Sequence, residues 1–235
     1  MNQPAVKPLR LAVLISGRGG NMLAIAGQCR SGQIPAEVAL VVSDVPGVAG
    51  LTGAAQLGIP AACVDASAFR RDGRFDKPAF EAALVAVLDA HAPDLVVLAG
   101  FMRVLSADFV ARYAGRLLNI HPSLLPQYKG LHTHERVLAA GDPEHGASVH
   151  FVTAELDGGP LVLQARVPVL PGDDVDRLSA RVQREEHIIY PTVIDWIARG
   201  RLRWNDGSLL LDGARLTAPR QRIARQPEQA GADRR

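Results

Sequence analysis

The sequence predicts an α/β protein with a doubly wound, mostly parallel twisted sheet and helices on both faces. Short apolar runs recur along the chain, segments with helical spacing lie between them, and a glycine-rich turn follows the first run. Apolar runs without strict alternation are typical of parallel strands that are covered on both faces. Their alternation with helices is typical of doubly wound sheets.

The first predicted strand is Leu9–Ile15, and the glycine-rich turn at 16–21 leads from it into a segment with helical spacing at 22–26. Further strands are predicted at Val38–Val42, Ala61–Val64, Leu95–Leu98, Leu117–Ile120, Ser148–Val152 and Leu161–Ala165. Longer helices are predicted at Phe80–Ala90 and from about Val175 to Ala198, where apolar residues recur on one face. Because ligands of such sheets bind at the carboxyl ends of the strands, the turns after these strands are where functional residues are expected.

Composition and termini favour a cytoplasmic globular protein. The chain of 235 residues is 48% hydrophobic and 21% charged, which is ordinary for that class. No apolar run approaches the ~18 residues that a membrane span needs, and the segment before Arg10 lacks the apolar core of a secretory signal. The cysteines, Cys29 and Cys63, form no CxxC pair, which fits a reducing compartment.

The basic charge is concentrated at the C-terminus. Residues 216–235 carry a surplus of +3, which leaves −1 for the rest of a chain whose net charge is +2. We expect this segment to be a disordered basic tail rather than a folded nucleic-acid-binding face. Its arginines are Arg220, Arg222, Arg225, Arg234 and Arg235.

The turn after the first strand reads Ser-Gly-Arg-Gly-Gly-Asn over residues 16–21. Backbone N–H groups in such a turn, together with the following helix N-terminus, suit a single phosphate. It is not a dinucleotide fingerprint, because Met22 occupies the last glycine position, and no Gly-Lys-Ser/Thr of a P-loop follows. From these residues alone, a phosphate cradle and a tight turn without a ligand are equally favoured.

Asn119 and His121 end an otherwise apolar strand, and being two residues apart they share one face. Polar groups there are unfavourable unless they are hydrogen-bonded or used in chemistry. An amide can stabilise an oxyanion, an effect of ~3–4 kcal/mol, and an imidazole can move a proton, typically ~10²–10⁴-fold in rate. The pair therefore suits acyl transfer. Asp157 is the candidate third group, although its spacing alone favours an ordinary Asp-Gly turn.

Four segments together resemble the phosphoribosylglycinamide formyltransferases of purine biosynthesis, and the resemblance runs from about Leu9 to about Leu216. They are Ala99–Arg103 (AGFMR), Arg116–Pro126 (RLLNIHPSLLP), Gly130–His134 (GLHTH) and Ser148–Pro160 (SVHFVTAELDGGP). HPSLLP alone is shared with the wider group of folate-dependent formyl hydrolases and transferases, whereas its combination with 16–21 and Glu186 points to the purine family. The resemblance implies a formyltransferase domain over 1–215. Its Rossmann-like nucleotide-binding half would span about 9–113, and its catalytic and folate half about 114–215.

The resemblance also implies a reaction of one-carbon metabolism. The formyl group of 10-formyltetrahydrofolate, a co-substrate, passes to the amine of glycinamide ribonucleotide by direct attack through a tetrahedral intermediate, and no metal is required. Asn119, His121 and Asp157 match the catalytic trio. Asn119 and protonated His121 would support the oxyanion, His121 would act as general acid/base, and Asp157 would stabilise the imidazolium.

Binding residues carry over from the same resemblance. Those implied for the nucleotide are Gly19, Gly20, Asn21 and Glu186; those implied for folate are Lys77, Met102, Arg103, Val104, Leu105, Asn119, Thr153 and Asp157. Gly20 stands where a hydroxyl residue is often found. Extra residues at 70–77 leave Arg71 and Arg74 as alternatives to Lys77. Glu186 lies on the apolar stripe of the last predicted helix, where an internal salt bridge with an arginine is the structural alternative.

Other functions stay open at this point. Formyltetrahydrofolate deformylase and methionyl-tRNA formyltransferase share the same chemistry, but we expect neither the regulatory N-terminal domain of the first nor the nucleic-acid-binding C-terminal domain of the second. A non-catalytic nucleotide-binding module would leave the trio without a reason to converge. The expected partners are small molecules, not nucleic acid or membrane, and the expected assembly is a monomer or a homodimer. His132 and His134 are interpreted as loop or helix-cap residues rather than metal ligands.

Overall fold

The computed structural model describes residues 7–205 and 207–224. The strands are β1 Leu9–Ile15, β2 Ala36–Ser43, β3 Ala61–Cys63, β4 Arg70–Arg71, β5 Arg74–Phe75, β6 Leu95–Leu98, β7 Leu117–His121, β8 Glu144–Phe151, β9 Leu161–Pro168, β10 Leu202–Asn205, β11 Ser208–Leu211, β12 Ala214–Arg215 and β13 Arg220–Ile223. The α-helices are α1 Gly20–Arg30, α2 Ala49–Gln56, α3 Lys77–His91, α4 Ala107–Arg112, α5 Thr133–Ala140 and α6 Val175–Ala198.

Eight strands form one sheet in the order β13-β9-β8-β7-β6-β1-β2-β3. All of its neighbouring pairs are parallel except β7 with β8 and β8 with β9, so β8 alone runs against the other seven. From β1 the chain first builds outward through β2 and β3, and then returns to place β6 and β7 on the other side. This reversal at β1 and β6 confirms the predicted doubly wound, mostly parallel sheet and creates a crevice at the strand ends.

Alternate residues of the central strands supply two separate cores, as parallel strands covered on both faces require. On one face, Val13, Val97 and Leu118 pack with side chains of α1, α5 and α6. On the other face, Leu14 and Leu98 belong to the cluster built around α3 and α4, whose buried residues include Phe80, Leu84, Leu88, Phe109 and Val110. The sheet is therefore a buried middle layer, and only its edges and strand ends reach solvent.

Polar side chains mark where several helices begin. Asp76, Ser106 and Asp174 precede α3, α4 and α6, and each accepts a hydrogen bond from a backbone N–H in the first turn. The bounds of α6 match the predicted helix, because its apolar stripe continues through two dozen residues. No helix in the described part of the chain is long and apolar enough to cross a membrane.

The C-terminal segment corrects the prediction of a disordered tail over residues 216–235. Arg220–Ile223 forms the outermost strand, β13, and pairs in parallel with β9. The apolar pattern did not reveal this strand because it lies at an edge, where backbone hydrogen bonds and polar contacts replace burial. Arg222 bonds Glu185 at 2.7 Å, and Gln221 bonds Gln164 at 2.9 Å. Residues 225–235 lie outside the described residues.

Candidate active site

A cleft of about 860 Å³ opens at the carboxyl ends of β1, β6 and β7. This is where the strand order reverses, and where the fold class predicts a ligand. Exposed apolar side chains on its lining indicate a ligand with an apolar surface. They are Met102, Val104, Leu131 and Leu156.

The loop after β1 leaves the amino end of α1 open. Gly19 precedes the helix with φ of 74°, a left-handed conformation that favours glycine. No side chain caps the first turn, so its free N–H groups and the helix dipole are available to an anion. Gly19 also lies against α2, since a Cβ at this position would be 2.9 Å from Cα of Gly50.

Asn21 and Glu186 join this loop to α6. The Asn21 amide donates to the Glu186 carboxylate at 2.8 Å, although 165 positions separate the two residues. Burial raises the pKa of Glu186, and the Asn21 hydrogen bond lowers it by a smaller amount. The structural partner of Glu186 is therefore an amide and not the arginine considered from sequence, since the Arg222 ion pair goes to Glu185.

Polar side chains of α6 occupy the space beside Gly20. A Cβ there would lie 3.2 Å from Nε2 of His187 and 3.3 Å from the Gln183 amide. Within the described residues, His187 Nε2 and Asn21 Oδ1 are buried without a hydrogen-bond partner. Such orphaned polar atoms are rare in folded proteins, and both lie where the nucleotide was predicted to bind.

Asn119 is held by His150, a residue of the neighbouring strand β8. The Asn119 amide lies 3.1 Å from Nε2 of His150, whose Nδ1 lies 3.0 Å from the Phe151 carbonyl oxygen. Because Nδ1 must donate to that carbonyl, a neutral ring has Nε2 free to accept from Asn119. Burial lowers the pKa of His150, which favours this neutral ring. One N–H of the Asn119 amide is thereby engaged, and the other stays available at the cleft.

His121 and Asp157 face each other across the cleft lining. Nδ1 of His121 is 3.5 Å from Oδ2 of Asp157, and both side chains are less than a tenth exposed. The other ring nitrogen, Nε2, bonds the Tyr128 carbonyl oxygen at 2.9 Å. Oδ2 of Asp157 also accepts the Gly130 N–H at 2.9 Å. Both nitrogens of His121 thus face oxygen acceptors, an arrangement that accommodates the doubly protonated ring.

A polar network that sequence reasoning missed shapes the side of the cleft where folate was predicted to bind. Asp44 is buried, accepts from Ser16 Oγ at 2.5 Å and accepts from Arg103 Nε at 2.7 Å. Ser16 Oγ in turn accepts the Met102 N–H at 2.8 Å. These bonds tie the loop after β1 to the loop after β6. In the sequence, a single Asp after a strand was the only indication of this network, because its partners Ser16 and Arg103 lie 28 and 59 positions away.

The remaining folate candidates are placed unequally. Residues 102–105 and Thr153 line the cleft, together with Asn119 and Asp157. Lys77 begins α3, and neither it nor Arg71 nor Arg74 is among the lining residues. The Arg103 guanidinium stands 5.0 Å over the Phe75 ring, which brings β5 beside the cleft. The choice of a basic folate contact among Arg71, Arg74 and Lys77 stays a prediction.

His132 and His134 lie at the start of α5 and are among the residues that line the cleft. His132 precedes α5 in a left-handed conformation. His134 and His145 contact each other through ring nitrogens 3.0 Å apart. No group of three or more possible metal-binding side chains occurs within residues 7–205 and 207–224.

Comparisons with known proteins find one family over most of the chain. The model of the formyl transferase family matches residues 9–194. The phosphoribosylglycinamide formyltransferase of Escherichia coli (strain K12) is 54% identical over 208 residues, which cover 88% of this chain and 96% of that protein. Asn119, His121, Asp157 and Glu186 all lie within the family match, whereas β13 lies beyond it.

Solved structures show the same relationship. The phosphoribosylglycinamide formyltransferase of Coxiella burnetii superposes with a TM-score of 0.85 at 45% identity, covering 92% of this chain and 99% of that one. A formyltetrahydrofolate deformylase from Burkholderia mallei ATCC 23344 superposes with a TM-score of 0.77 at 26% identity, covering 89% of this chain and 72% of that one.

Proposed function

This chain belongs to the formyl transferase family and is a one-carbon group transferase; on that premise we propose that it formylates the amine of glycinamide ribonucleotide in cytoplasmic purine biosynthesis. 10-Formyltetrahydrofolate is the proposed formyl donor. The observation that carries the proposal is the pairing of His121 with Asp157, 3.5 Å apart, in the cleft that also contains the loop at 16–21. A phosphate-binding loop and an acyl-transfer site in one cleft suit an acceptor that carries both a phosphate and an amine.

In the proposed reaction the substrate amine attacks the formyl carbon to give a tetrahedral intermediate. A bond forms between that carbon and the amine nitrogen, and the bond from the carbon to N10 of the folate breaks. One proton leaves the attacking amine and one arrives at N10, so the reaction balances without another reactant. His121 moves this proton as general acid/base, and the carboxylate of Asp157 stabilises the imidazolium form.

Asn119 supports the oxyanion of the intermediate through the amide N–H that His150 does not engage. Its direction is set in advance because His150 accepts the other N–H at 3.1 Å. A donor held in place before the charge develops contributes ~3–4 kcal/mol to transition-state stabilisation in other acyl-transfer enzymes.

The nucleotide is bound at the opposite end of the cleft. Gly19, Gly20 and Asn21 present the open amino end of α1 to the phosphate, and Glu186 accepts hydrogen bonds from ribose hydroxyls. The buried, unpartnered Oδ1 of Asn21 supports this placement, because this oxygen is an acceptor to which a ribose hydroxyl of the bound nucleotide would donate. The folate lies against Met102–Leu105 and Thr153, beside the exposed apolar side chains of the cleft. Small molecules are therefore the proposed partners, with neither nucleic acid nor membrane required.

An acceptor assay tests the proposal. Purified protein is supplied with 10-formyltetrahydrofolate and either glycinamide ribonucleotide or buffer alone, and formate and formylated nucleotide are both quantified. We expect formylated nucleotide in stoichiometric balance with tetrahydrofolate and no formate above background. Formate release that does not depend on the nucleotide would overturn the proposal in favour of a deformylase.

A further inference from the structure

Tyr190 is a fully buried residue of α6 whose hydroxyl reaches the point where β6 and β7 separate. It donates toward two backbone oxygens, that of Leu98 at 2.9 Å and that of Leu118 at 3.0 Å. The pairing of the two strands ends at Leu98 opposite Asn119. The hydroxyl therefore bridges the two strands at the end of their pairing, immediately before they open around the cleft.

The peptide group that carries the Leu118 oxygen is also the peptide group that begins Asn119. Its orientation helps to set the direction of the Asn119 side chain, which projects to the opposite face from Leu118. The Leu98 oxygen belongs to the peptide that leads into Ala99, and the next residue, Gly100, accepts the Ser16 N–H at 3.1 Å. One hydroxyl thus holds the backbone on two sides of the cleft.

The same helix face reaches the nucleotide loop one turn earlier. Glu186 bonds Asn21, and Tyr190 follows it by four positions, so the two side chains lie on one side of α6. Pro191, the next residue, supplies no N–H to the helix. A buried hydroxyl here is not needed to fill space, because phenylalanine has the same ring. What the hydroxyl adds is one hydrogen shared between the Leu98 and Leu118 oxygens.

We propose that Tyr190 is a positioning residue that holds the 118–119 peptide, and through it the Asn119 amide, in the orientation required for oxyanion stabilisation. This inference rests on the proposed formyl transfer, in which Asn119 contacts the reacting carbonyl. It goes beyond that transfer by assigning a role to a side chain that touches no substrate. Tyr190 acts by restricting backbone movement at the separation of the strands.

The test is a double-mutant cycle with Tyr190→Phe and Asn119→Ala. We expect Tyr190→Phe to lower kcat about tenfold, which equals roughly 1.4 kcal/mol of transition-state stabilisation, with the KM for glycinamide ribonucleotide nearly unchanged. In the Asn119→Ala background the same substitution is expected to have no further effect on kcat, because the group it positions is gone. Equal losses of kcat in both backgrounds would overturn the proposal.

Tyr113→Phe is the matched control. Tyr113 is 1% exposed, and its hydroxyl makes no hydrogen bond of standard geometry within the described residues, although the Arg112 guanidinium lies beside it. Removing that hydroxyl is expected to leave kcat unchanged, and a loss equal to that of Tyr190→Phe would also overturn the proposal. Circular dichroism checks that each variant is folded.

A second readout does not depend on turnover. The side-chain amide signals of Asn119 in a ¹⁵N–¹H spectrum are expected to shift in Tyr190→Phe and to stay in place in Tyr113→Phe. If the parent protein forms no formylated nucleotide, the proposed function fails while these signals still decide whether Tyr190 positions Asn119. Unshifted Asn119 signals in Tyr190→Phe would refute the positioning role.

Discussion

Asp157 adopts a left-handed backbone conformation, with φ of 48°. Asp is one of the few residues other than glycine that tolerate it. The conformation turns the carboxylate toward His121, while the Gly130 N–H holds Oδ2 at 2.9 Å. The Asp-Gly pair at 157–158 is therefore a turn, as its spacing suggests, but the carboxylate is buried rather than solvated. At the scale of the residue, the proposed chemistry depends on where a single turn directs one side chain.

Asp157→Asn is expected to lower kcat by ~10²–10⁴-fold, the usual contribution of proton transfer. The amide oxygen can still accept from Gly130, but the negative charge opposite the imidazolium is lost. Binding of glycinamide ribonucleotide is expected to stay within about twofold of the parent protein, because the substitution removes transition-state rather than ground-state contacts. Steady-state kinetics and calorimetric titration measure the two quantities.

Glu155→Gln is the control for this prediction. Glu155 lies in the same loop at the edge of the cleft, and its exposed carboxylate pairs with Lys129 rather than with His121. Its removal is expected to leave kcat unchanged. Near-normal turnover by Asp157→Asn would contradict the role of that residue.

Because the ring of His145 is buried, the free energy of unfolding is expected to depend on pH. Burial, with smaller effects of the His134 and His121 rings opposed by Asp142, lowers the pKa of His145 to about 4 from an ordinary 6.5. The unfolded chain therefore takes up a proton near pH 6.5, whereas the folded protein resists it until about pH 4. The neutral His145 ring therefore contributes its full stabilisation above pH 6.5. As the pH falls toward 4 this stabilisation is lost, and the free energy of unfolding drops by at most roughly 3 kcal/mol.

Urea unfolding at pH 7.5 and at pH 4.5 measures this loss. His145→Gln is expected to lose less free energy of unfolding between the two pH values than the parent protein does. His132→Gln removes an exposed imidazole and is expected to follow the parent. Equal losses in His145→Gln and the parent protein would show that His145 is not the responsible group.

Helix α2 packs so closely on the turn after β1 that a side chain at its second residue does not fit. A Cβ on Gly50 would lie 2.4 Å from Cδ1 of Ile15 and 2.8 Å from the Gly17 oxygen, while the Gly50 N–H donates to that oxygen at 3.1 Å. The glycine thus lets one helix support the loop that begins another. At the scale of elements, the predicted phosphate cradle depends on this approach.

Gly50→Ala is expected to lower the free energy of unfolding by about 1–3 kcal/mol, because the helix must move away from the turn. Gly27→Ala in α1 is the matched substitution, since nothing lies within 4 Å of its added Cβ. It is expected to raise the free energy of unfolding by about 0.5–1 kcal/mol, because alanine leaves the unfolded chain less backbone freedom than glycine does. Chemical denaturation compares the two variants, and a Gly50→Ala protein as stable as the parent would contradict the close packing.

A line of polar side chains crosses the molecule from its C-terminal edge to the loop after His121. Gln221 on β13 donates to Gln164 on β9 at 2.9 Å, and the Gln164 amide donates to the Leu125 oxygen and to Ser148 Oγ, each at 2.8 Å. Ser148 Oγ also donates to the Ser123 oxygen at 2.6 Å. The loop that follows His121 is therefore held from a distant sheet edge.

Gln164→Leu is expected to lower the free energy of unfolding by about 2–3 kcal/mol, since it leaves the buried Leu125 oxygen without this donor. Gln221→Leu, nearer the surface, is expected to lower it by about 1 kcal/mol. Arg220→Gln on the same strand removes an exposed side chain and is expected to change it by less than about 0.5 kcal/mol. A Gln164→Leu protein with parental stability in urea would exclude this line of contacts as a support.

The sequence alone was sufficient to predict features that lie within a single strand, helix or turn. It determined that Asn119 and His121 share a face, that one helix runs from Val175 to Ala198, and that a glycine turn opens α1, because these features depend on the repeat of a strand, a helix or a turn over a few residues. The motifs around 119–121 and 157 also identified the family. Division of the domain into nucleotide and folate halves, and the basic contact near 70–77, stay predictions.

Only the tertiary structure decided which polar groups meet. It paired Glu186 with Asn21, placed His150 against Asn119, buried Asp44 beneath two loops and added β13 to the sheet. Each of these contacts joins residues that lie far apart in the chain. Their distances depend on strand order and register, which no local pattern of side chains encodes, because one apolar run is compatible with several neighbours in a sheet.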